Sequence, residues 1–147
     1  MTVPGTTLTP IGIAVTPWCK GDCPKNMREA RERNAPSVIE IEARYRAALS
    51  GIDRASHVIL LGWFGDAARD RLVQQPTHAV RPLGAFALRS PDRPNPIAIS
   101  VAKLVAVDAE AGRVTVGALD WFNGTAVLDI KPYYASVDCI PDAEVRD

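Results

Sequence analysis

The chain has 147 residues, of which 47% are hydrophobic, and this length and composition suit one compact domain with a sizeable core. Its 17 Lys and Arg residues balance 17 Asp and Glu residues, so no global basic field attracts a polyanion, and any contact with nucleic acid must be local. No run of about 18 apolar residues indicates a membrane span, and the N-terminus lacks a signal-peptide pattern. We therefore expect a cytoplasmic protein without a membrane partner.

The cysteines indicate neither disulfides nor a metal centre. Cys19, Cys23 and Cys139 cannot all pair with one another, so reduced thiols are expected. Together with His78 they could bind zinc, but the three-residue gap between the first two is unusual for a zinc knuckle, and we predict no metal site. His57 opens an apolar run, which favours a structural histidine over a general base.

The first half of the chain predicts two strands and short helices. Residues 8–16 combine apolar and β-branched side chains and predict the first strand. Residues 17–36 interrupt this pattern, and their mixed charges indicate a solvated loop or a short helix. A second strand begins at residues 38–41 and gives way to a helix over residues 42–52, which Gly51 can end.

The following segments predict a buried strand and a hairpin. Residues 57–64 form a continuous apolar run, typical of a strand buried on both faces. Residues 66–75 suit a short helix or a charged loop. Residues 96–107 are rich in β-formers and end at a polar turn, after which residues 113–122 return as the predicted antiparallel partner.

The last segments predict a second hairpin and a closed fold. Asn123 and Gly124 form a dipeptide that tolerates the positive φ angles of a type I′ turn, so residues 125–134 are predicted to pair with the strand before the turn. Small and large side chains alternate over residues 97–102, which gives one crowded and one open face. Because a barrel leaves no strand edge exposed, we predict a mainly β protein: one compact antiparallel β-barrel domain over residues 1–147, with one or two short helices.

The densest chemical signal is the loop over residues 88–100. Three prolines within six residues fix φ and remove backbone donors, so the loop is stiff. A stiff loop can position two cations and two neutral hydrogen-bonding groups for a carboxylate or phosphate ligand. The alternative is a proline-rich turn whose arginines are merely solvated. The side chains concerned are Arg89, Ser90, Arg93 and Asn95.

A second signal combines Asp120 with a charged strand near the end of the chain. Asp129 and Lys131 are two residues apart on a predicted strand and therefore project to the same face, while Ile130 projects to the other. The two charges could form a structural ion pair or a polar site beside an apolar wall. Tyr133, which follows, could present its ring to a ligand or pack in the core.

These motifs together resemble a known family. The sequences RSPDRPNPIAIS at residues 89–100 and LDWFNGTAVLDIKPYYASVD at residues 119–138 are similar to the signature of the TsaA-like (TrmO) methyltransferases, close to RSP-x-RPNPIG-x-S and D-x-x-DGTP-x-LDIKPY. The resemblance is strongest over residues 84–138. The chain departs from the pattern at Lys25 and Asn26, where the family has Arg-Gln, and at Ala98, Asn123 and Ala126.

The resemblance implies a β-barrel that forms a homodimer and binds S-adenosylmethionine near the dimer interface. It implies methyl transfer to N6 of threonylcarbamoyl-adenosine next to the anticodon of tRNA. The matching motif positions assign cofactor binding to Arg89, Ser90, Arg93, Asn95, Pro96, Asp120 and Leu128, and catalysis to Asp129, Lys131 and Tyr133.

A role for each group follows from the chemistry of methyl transfer. The acceptor nitrogen loses a proton, and we expect Asp129, held by Lys131, to accept it. Arg89 or Arg93 could bind the cofactor carboxylate or an RNA phosphate. Two alternatives remain: a methyltransferase with a small-molecule acceptor, which the neutral net charge favours, and a non-enzymatic module that binds S-adenosylmethionine.

Overall fold

Strands provide most of the regular secondary structure in the computed structural model, which describes residues 3–146. Two short α-helices, α1 (Met27–Arg33) and α2 (Ala135–Asp138), and three 3-10 helices (Ala43–Leu49, Ile52–Arg54 and Ala85–Ala87) connect them. The strands are β1 (Gly12–Val15), β2 (Ser37–Ile41), β3 (His57–Trp63), β4 (Val73–Gln74), β5 (Leu83–Gly84), β6 (Ile97–Asp108), β7 (Arg113–Val116) and β8 (Thr125–Pro132).

Six of the strands close into an antiparallel barrel. Their order is β1-β2-β7-β6-β3-β8, and β8 also pairs with β1, so that the ring is complete. The predicted mainly β class and the closed barrel are therefore confirmed. None of the helices within residues 3–146 combines the length and the apolar character that crossing a bilayer requires.

The barrel interior is filled by alternate residues of each strand. In β6 the small residues Ala98, Ser100 and Ala102 are at most 7% exposed, whereas Ile97 and Ile99 on the outer face are 43% and 46% exposed. β3 alternates in the same way between fully and partly buried side chains. The prediction that β3 is buried on both faces is thus wrong, because one face of a barrel strand always lies on the outer wall.

The predicted helix over residues 42–52 exists, but it is a 3-10 helix over Ala43–Leu49. It buries only Leu49, and the backbone N–H of Tyr45 donates to the carbonyl of Glu42, three residues earlier. Gly51 then adopts a φ of +81°, the left-handed conformation that favours glycine.

A short helix within residues 17–36 is confirmed, and its sequence accounts for its ends. The side-chain oxygen of Asn26 accepts a hydrogen bond from the backbone N–H of Glu29, and the Glu29 carboxylate accepts one from the N–H of Lys25. The helix ends at Asn34, whose φ of 50° stops its continuation. Of the two predictions for residues 66–75, the structure has the loop, which ends in β4, paired with β5.

The first predicted hairpin, β6 with β7, is confirmed, but the second is wrong. β8 pairs with β1 and β3 and not with residues 117–122. Asn123 does not have the positive φ of a type I′ turn, because its side-chain oxygen accepts a hydrogen bond from the N–H of Thr16, and the N–H of Gly124 donates to Ala14. The turn is therefore docked on β1, and this contact directs β8 into the barrel wall.

Residues 117–122 instead cross one end of the barrel. Trp121 is 1% exposed and Leu119 is fully buried. The ring of Phe64 meets that of Trp121 edge to face, with 6.0 Å between the ring centres. This end of the core is therefore closed by an indole, and Asp120 is carried to the barrel mouth between the two buried side chains.

Candidate functional site

The proline-rich loop between β5 and β6 is held by its own arginine. The Arg93 guanidinium donates to the carbonyl oxygens of Leu88 at 2.9 Å and Ser90 at 3.2 Å, and Pro96 is fully buried. These two predicted cofactor-binding residues thus shape the loop from inside. Ser90 lies at the surface of the loop, where its hydroxyl accepts a hydrogen bond from the N–H of Asp92.

Two further arginines fasten this loop to the segment that follows β3. Arg71 donates to the Asp92 carboxylate at 2.8 Å, which, together with the N–H of Ala68, holds the pKa of Asp92 below its usual range. Arg69 donates to the Pro94 carbonyl at 2.7 Å and to the side-chain oxygen of Asn95 at 3.1 Å. The predicted ligand residue Asn95 is therefore engaged by a protein arginine.

Arg89 and Arg31 line the open edge of β6. The register of β6 with β7 begins at Leu104, so β7 does not cover the earlier part of this strand. Arg89 donates to the carbonyl oxygen of Ile99 at 3.3 Å, and Arg31 of α1 donates to that of Val101 at 3.2 Å. Two guanidinium groups from distant segments are thus brought to neighbouring positions along one strand.

Asp120 lies at the same place, tied to the residue between those two carbonyls. The Ser100 hydroxyl donates to Asp120 Oδ1 at 2.8 Å, and the Trp121 indole N–H donates to Ser100 Oγ at 3.0 Å. Burial raises the pKa of Asp120, while the Ser100 hydrogen bond and the charges of Arg89 and Arg31 lower it without cancelling the effect of burial. A partly desolvated carboxylate therefore faces two cations.

The thiol of Cys23 is close to this carboxylate. Burial, followed by the charge of Asp120, raises the pKa of Cys23 to about 11, so the thiol is neutral at physiological pH. Within residues 3–146, no three His, Cys, Asp or Glu side chains converge as a metal ion would require.

An open groove of about 840 Å³ runs beside the Arg89 loop, a volume within the range of small-molecule sites. One wall comes from the turn before α1 and the loop before β6, and the other from the segment after β3. Its side chains within the described part of the chain include cations and amides but no carboxylate. Those that could contact an anionic or polar ligand are Lys25, Asn26, Arg71, Gln74, His78 and Arg89.

The second group of predicted residues lies on the outer face of β8. Lys131 Nζ and Asp129 Oδ2 are 2.8 Å apart, and this hydrogen bond raises the pKa of Lys131. The prediction that the two side chains share a face is confirmed, and Ile130 packs toward the core from the other side. Burial, followed by the influence of Cys139, raises the pKa of Tyr133.

The Asp129–Lys131 pair and the Arg89 site are separated by two strands of the barrel wall. Asp129 is opposite Leu61, which is opposite Ile99, so Asp129 lies two strands from the carbonyl that binds Arg89, or about 10 Å. Asp120, by contrast, reaches the inward-facing Ser100. The register shifts between Leu61 and Gly62, which leaves Leu128 as the extra residue of a bulge beside Asp129.

Sequence reasoning missed the residues that support the site. The sequence does show Ser100 as the one hydroxyl among the small inward residues of β6. Its partners could not be predicted, because Asp120 and Trp121 lie 20 and 21 residues away in the chain. Arg31 is hidden in a mixed-charge helix, and nothing in its neighbourhood indicates contact with β6. Arg69 stacks on Trp63 at 5.5 Å, a contact that likewise depends on the folded loop.

Comparisons with known proteins agree with one another. A sequence model of the tRNA-methyltransferase O N-terminal domain matches residues 14–139. An Archaeoglobus fulgidus protein named "S-adenosyl-L-methionine-binding protein" is 37% identical over 138 residues, covering 93% of this chain and 96% of that protein.

Two solved structures have the same fold. The crystal structure of TrmO from Pseudomonas aeruginosa has a TM-score of 0.77 and 32% identity, covering 97% of this chain and 61% of that one. A second crystal structure of TrmO has a TM-score of 0.77 and 30% identity, covering 98% of this chain and 62% of the other. The chain thus spans less than two thirds of each solved protein.

Proposed function

Because the chain belongs to the family of the tRNA-methyltransferase O N-terminal domain, we propose that it methylates N6 of threonylcarbamoyl-adenosine next to the anticodon of tRNA. Family membership supports an S-adenosylmethionine-dependent methyltransferase, and we take residues 1–147 as one such domain. The observation that carries the proposal is the open groove lined by Arg89, whose charge also acts on the partly buried carboxylate of Asp120.

The residues around the groove fit a methyl donor that carries an amino-acid end and a nucleoside. Arg89 offers a guanidinium for the carboxylate, and Asp120 offers a carboxylate for a cation or a hydroxyl. Ser90 lines the groove, and Arg93, Asn95 and Pro96 hold the loop in shape. We keep Leu128 as a proposed cofactor contact, although it lies at the strand bulge beside Asp129 and does not line this groove.

The chain's own residues supply alignment and a proton acceptor. S-adenosylmethionine, when bound, supplies an activated methyl group on a sulfonium. In our proposal Asp129 would take the proton that the acceptor N6 loses when this nitrogen is methylated. Lys131 keeps Asp129 in place through the 2.8 Å ion pair, and Tyr133 would offer its ring face to a cation.

Local charge supports tRNA as the partner, although the net charge of the chain is zero. Lys25, His78 and Arg89 line one groove whose lining, in the part of the chain described, includes no acidic residue, while the charge of Arg71 in the same groove is paired with Asp92. Such a groove attracts phosphates without a global basic field. Acting on tRNA would place the protein in the cytoplasm.

A homodimer is proposed through the outer face of β1, β8, β3 and β6. Ile13, Ala126, Trp63 and Ile97 form one continuous outward row across these four strands. Ile13 and Ile97 are 45% and 43% exposed, so the row presents a continuous apolar strip that a partner would cover. The opposite charges of Asp129 and Lys131 on this outer wall suit a two-fold interface, which must complement itself.

Light scattering tests the dimer. Ile97→Glu should convert a dimer into a monomer, because it places an unpaired charge within the apolar row. Val105→Glu is the matched control, since Val105 is 57% exposed on the same strand but beyond the row. A wild-type protein that is monomeric at high concentration would contradict the dimer.

Methyl incorporation tests the activity. With tritiated S-adenosylmethionine and bulk tRNA, label should enter tRNA, and nucleoside mass spectrometry should place it on threonylcarbamoyl-adenosine. Asp129→Asn should lose transfer while it retains binding of the methyl donor, measured by calorimetry. Unchanged turnover in this variant would remove Asp129 from the mechanism.

A second candidate is a non-enzymatic S-adenosylmethionine-binding module, which the name of the Archaeoglobus fulgidus relative favours. The balance of 17 basic and 17 acidic residues favours a third, a methyltransferase of a small molecule. Donor binding without label in any acceptor would select the module. Salt-dependent tRNA binding separates the tRNA enzyme from the small-molecule enzyme.

A further inference from the structure

We propose that a cleft between residues 48–55 and the end of β8 is a second binding site, which holds one unpaired nucleotide of the tRNA, with Arg54 on its phosphate and Tyr134 against its base. The proposal rests on the proposed function, because it takes tRNA as the substrate. It adds an RNA contact at a distance from the groove beside Arg89.

The cleft lies at the other end of the barrel from that groove. Its volume is about 270 Å³, which suits a single base or phosphate better than a whole drug-sized ligand. The loop of the groove enters β6 at Ile97, which pairs with Trp63, whereas Pro132 in the wall of the cleft pairs with Val58. Trp63 and Val58 are five residues apart on β3, or about 17 Å. A ligand in the cleft is therefore distinct from one in the groove.

The guanidinium of Arg54 is available for a ligand. Arg54 is exposed, and among the residues described its side chain forms neither an ion pair nor a hydrogen bond. Its backbone is held, because its N–H donates to the carbonyl of Gly51 at 3.2 Å. A guanidinium whose N–H groups are unused can bind a phosphate through two parallel hydrogen bonds.

The other walls of the cleft suit a phosphate attached to a flat ring. Ser50 adds a hydroxyl group, and Ile52 and Ile130, which pack against the barrel core, add apolar surface. Within the described part of the chain no acidic side chain lines the cleft, and Asp53, next to Arg54 in the sequence, is not part of its wall. The charge of the cleft therefore complements an anion.

Tyr134 presents an exposed ring from a fixed backbone. Its side chain lines the cleft, and the residue is 58% exposed. Its N–H donates to the Asp138 carboxylate at 2.8 Å, and the N–H of Tyr133 before it donates to the carbonyl of His57 at 3.0 Å. Proteins bind unpaired bases by stacking them on such rings beside a cation that contacts the phosphate.

The cleft is also close to the proposed proton acceptor. Pro132 of its wall lies three residues from Asp129 along β8, or about 10 Å. Lys131, between the two, forms the ion pair with Asp129. A nucleotide held in the cleft would thus place a neighbouring nucleotide of the same RNA strand beside Asp129.

Fluorescence anisotropy with a labelled anticodon stem-loop RNA tests the phosphate contact. Arg54→Gln should weaken binding about tenfold and reduce the salt dependence of the affinity by about one phosphate contact. Arg113→Gln is the matched control, because Arg113 is exposed and, among residues 3–146, has no ion pair, and β7 pairs with β2 and β6 and not with β8. This control should change the affinity by no more than about twofold.

The ring of Tyr134 and the consequence for catalysis have their own readouts. Tyr134→Leu should weaken binding of the stem-loop about tenfold, whereas Tyr134→Phe, which retains the ring, should bind as the wild type does. Arg54→Gln and Tyr134→Leu should raise the KM for tRNA and leave kcat and the affinity for S-adenosylmethionine unchanged. Thermal unfolding checks that each variant is folded.

Three outcomes would overturn the site. If Arg54→Gln and Arg113→Gln weaken the stem-loop equally, the RNA responds only to the overall charge. If folded Tyr134→Leu binds as tightly as the wild type, no base stacks on the ring. If adenosine monophosphate binds in a manner that depends on Arg54 and Tyr134 while stem-loop affinity does not, the cleft takes a free nucleotide and the RNA assignment is wrong.

Methyl transfer separates the cleft from the proposed function. Label in tRNA with a wild-type KM in every variant would overturn the cleft and leave the proposed function standing. If the wild type transfers no methyl group to tRNA, but Arg54→Gln and Tyr134→Leu weaken the stem-loop and Arg113→Gln does not, the proposed function is overturned and the nucleotide site is supported.

Discussion

The indole of Trp121 lies directly over Gly62, and a Cβ at position 62 would come within 2.7 Å of two ring carbons. The ring cannot easily move aside, because it is 1% exposed and packs edge to face on Phe64. We expect Gly62→Ala to lower the free energy of unfolding by about 1–3 kcal/mol in urea denaturation. Gly117→Ala is the control, since its Cβ would meet no atom closer than 3.7 Å. Equal effects in both variants would contradict the packing account.

Ser37, in β2, buries a hydroxyl group that contributes no hydrogen bond to the fold among the residues described. It is 1% exposed, and within the described residues its Oγ has no hydrogen-bond partner. Because Ser37→Ala removes a desolvated polar group, it should raise the free energy of unfolding by about 1 kcal/mol. Ser100→Ala removes an equally buried hydroxyl that has two partners, and it should be destabilising by chemical denaturation. A loss of stability in Ser37→Ala would mean that its hydroxyl has a partner after all.

The stability effect of Asp120 should depend on pH in an unusual direction. Its pKa in the folded state is raised by burial, so this group favours folding below the unfolded pKa of about 3.9 and loses that contribution as pH rises through the folded pKa. Asp120→Asn should therefore stabilise the protein at pH 7, and the gain should vanish near pH 3.5. Thermal unfolding at both pH values measures this.

Asp92 provides the opposite case and serves as the matched control. The Arg71 hydrogen bond, followed by that from the N–H of Ala68, lowers its pKa, so its contribution to stability is present above the unfolded pKa and is lost as pH falls through the folded pKa. Asp92→Asn should lower the melting temperature at pH 7, with a smaller difference at pH 3. If both variants shift stability in the same direction at pH 7, the assigned environments are wrong.

The three cysteines should differ in reactivity. Cys19 and Cys139 are exposed, whereas burial and then Asp120 raise the pKa of Cys23 to about 11. At pH 8, alkylation followed by mass spectrometry should show Cys23 reacting about tenfold or more slowly than the other two. Because the Asp120 charge contributes to this pKa, Asp120→Asn should accelerate alkylation of Cys23 and leave Cys19 unchanged. An unchanged rate of Cys23 alkylation in this variant would mean that the Asp120 carboxylate does not act on the thiol.

The paired strands show how far local patterns reach. The alternation of small and large residues in β6 correctly predicted one crowded and one open face, because side chains of a strand point alternately to its two sides. The same reasoning placed Asp129 and Lys131 on one face. It failed at Asn123, where a turn dipeptide that suits a hairpin is held instead by Thr16, more than a hundred residues earlier.

The sequence by itself determined the β class, the positions of β2, β3, β6 and β8, and the stiffness of the proline-rich loop, since these follow from local side-chain periodicity and fixed φ angles. Only the tertiary structure decided that Arg93 turns into its own loop, that Arg31 reaches β6 and that Asp120 rests on Ser100. These contacts join residues far apart in the chain. They exist because closure of the barrel leaves part of one β6 edge uncovered and brings a crossing segment over the barrel mouth, which no local pattern encodes.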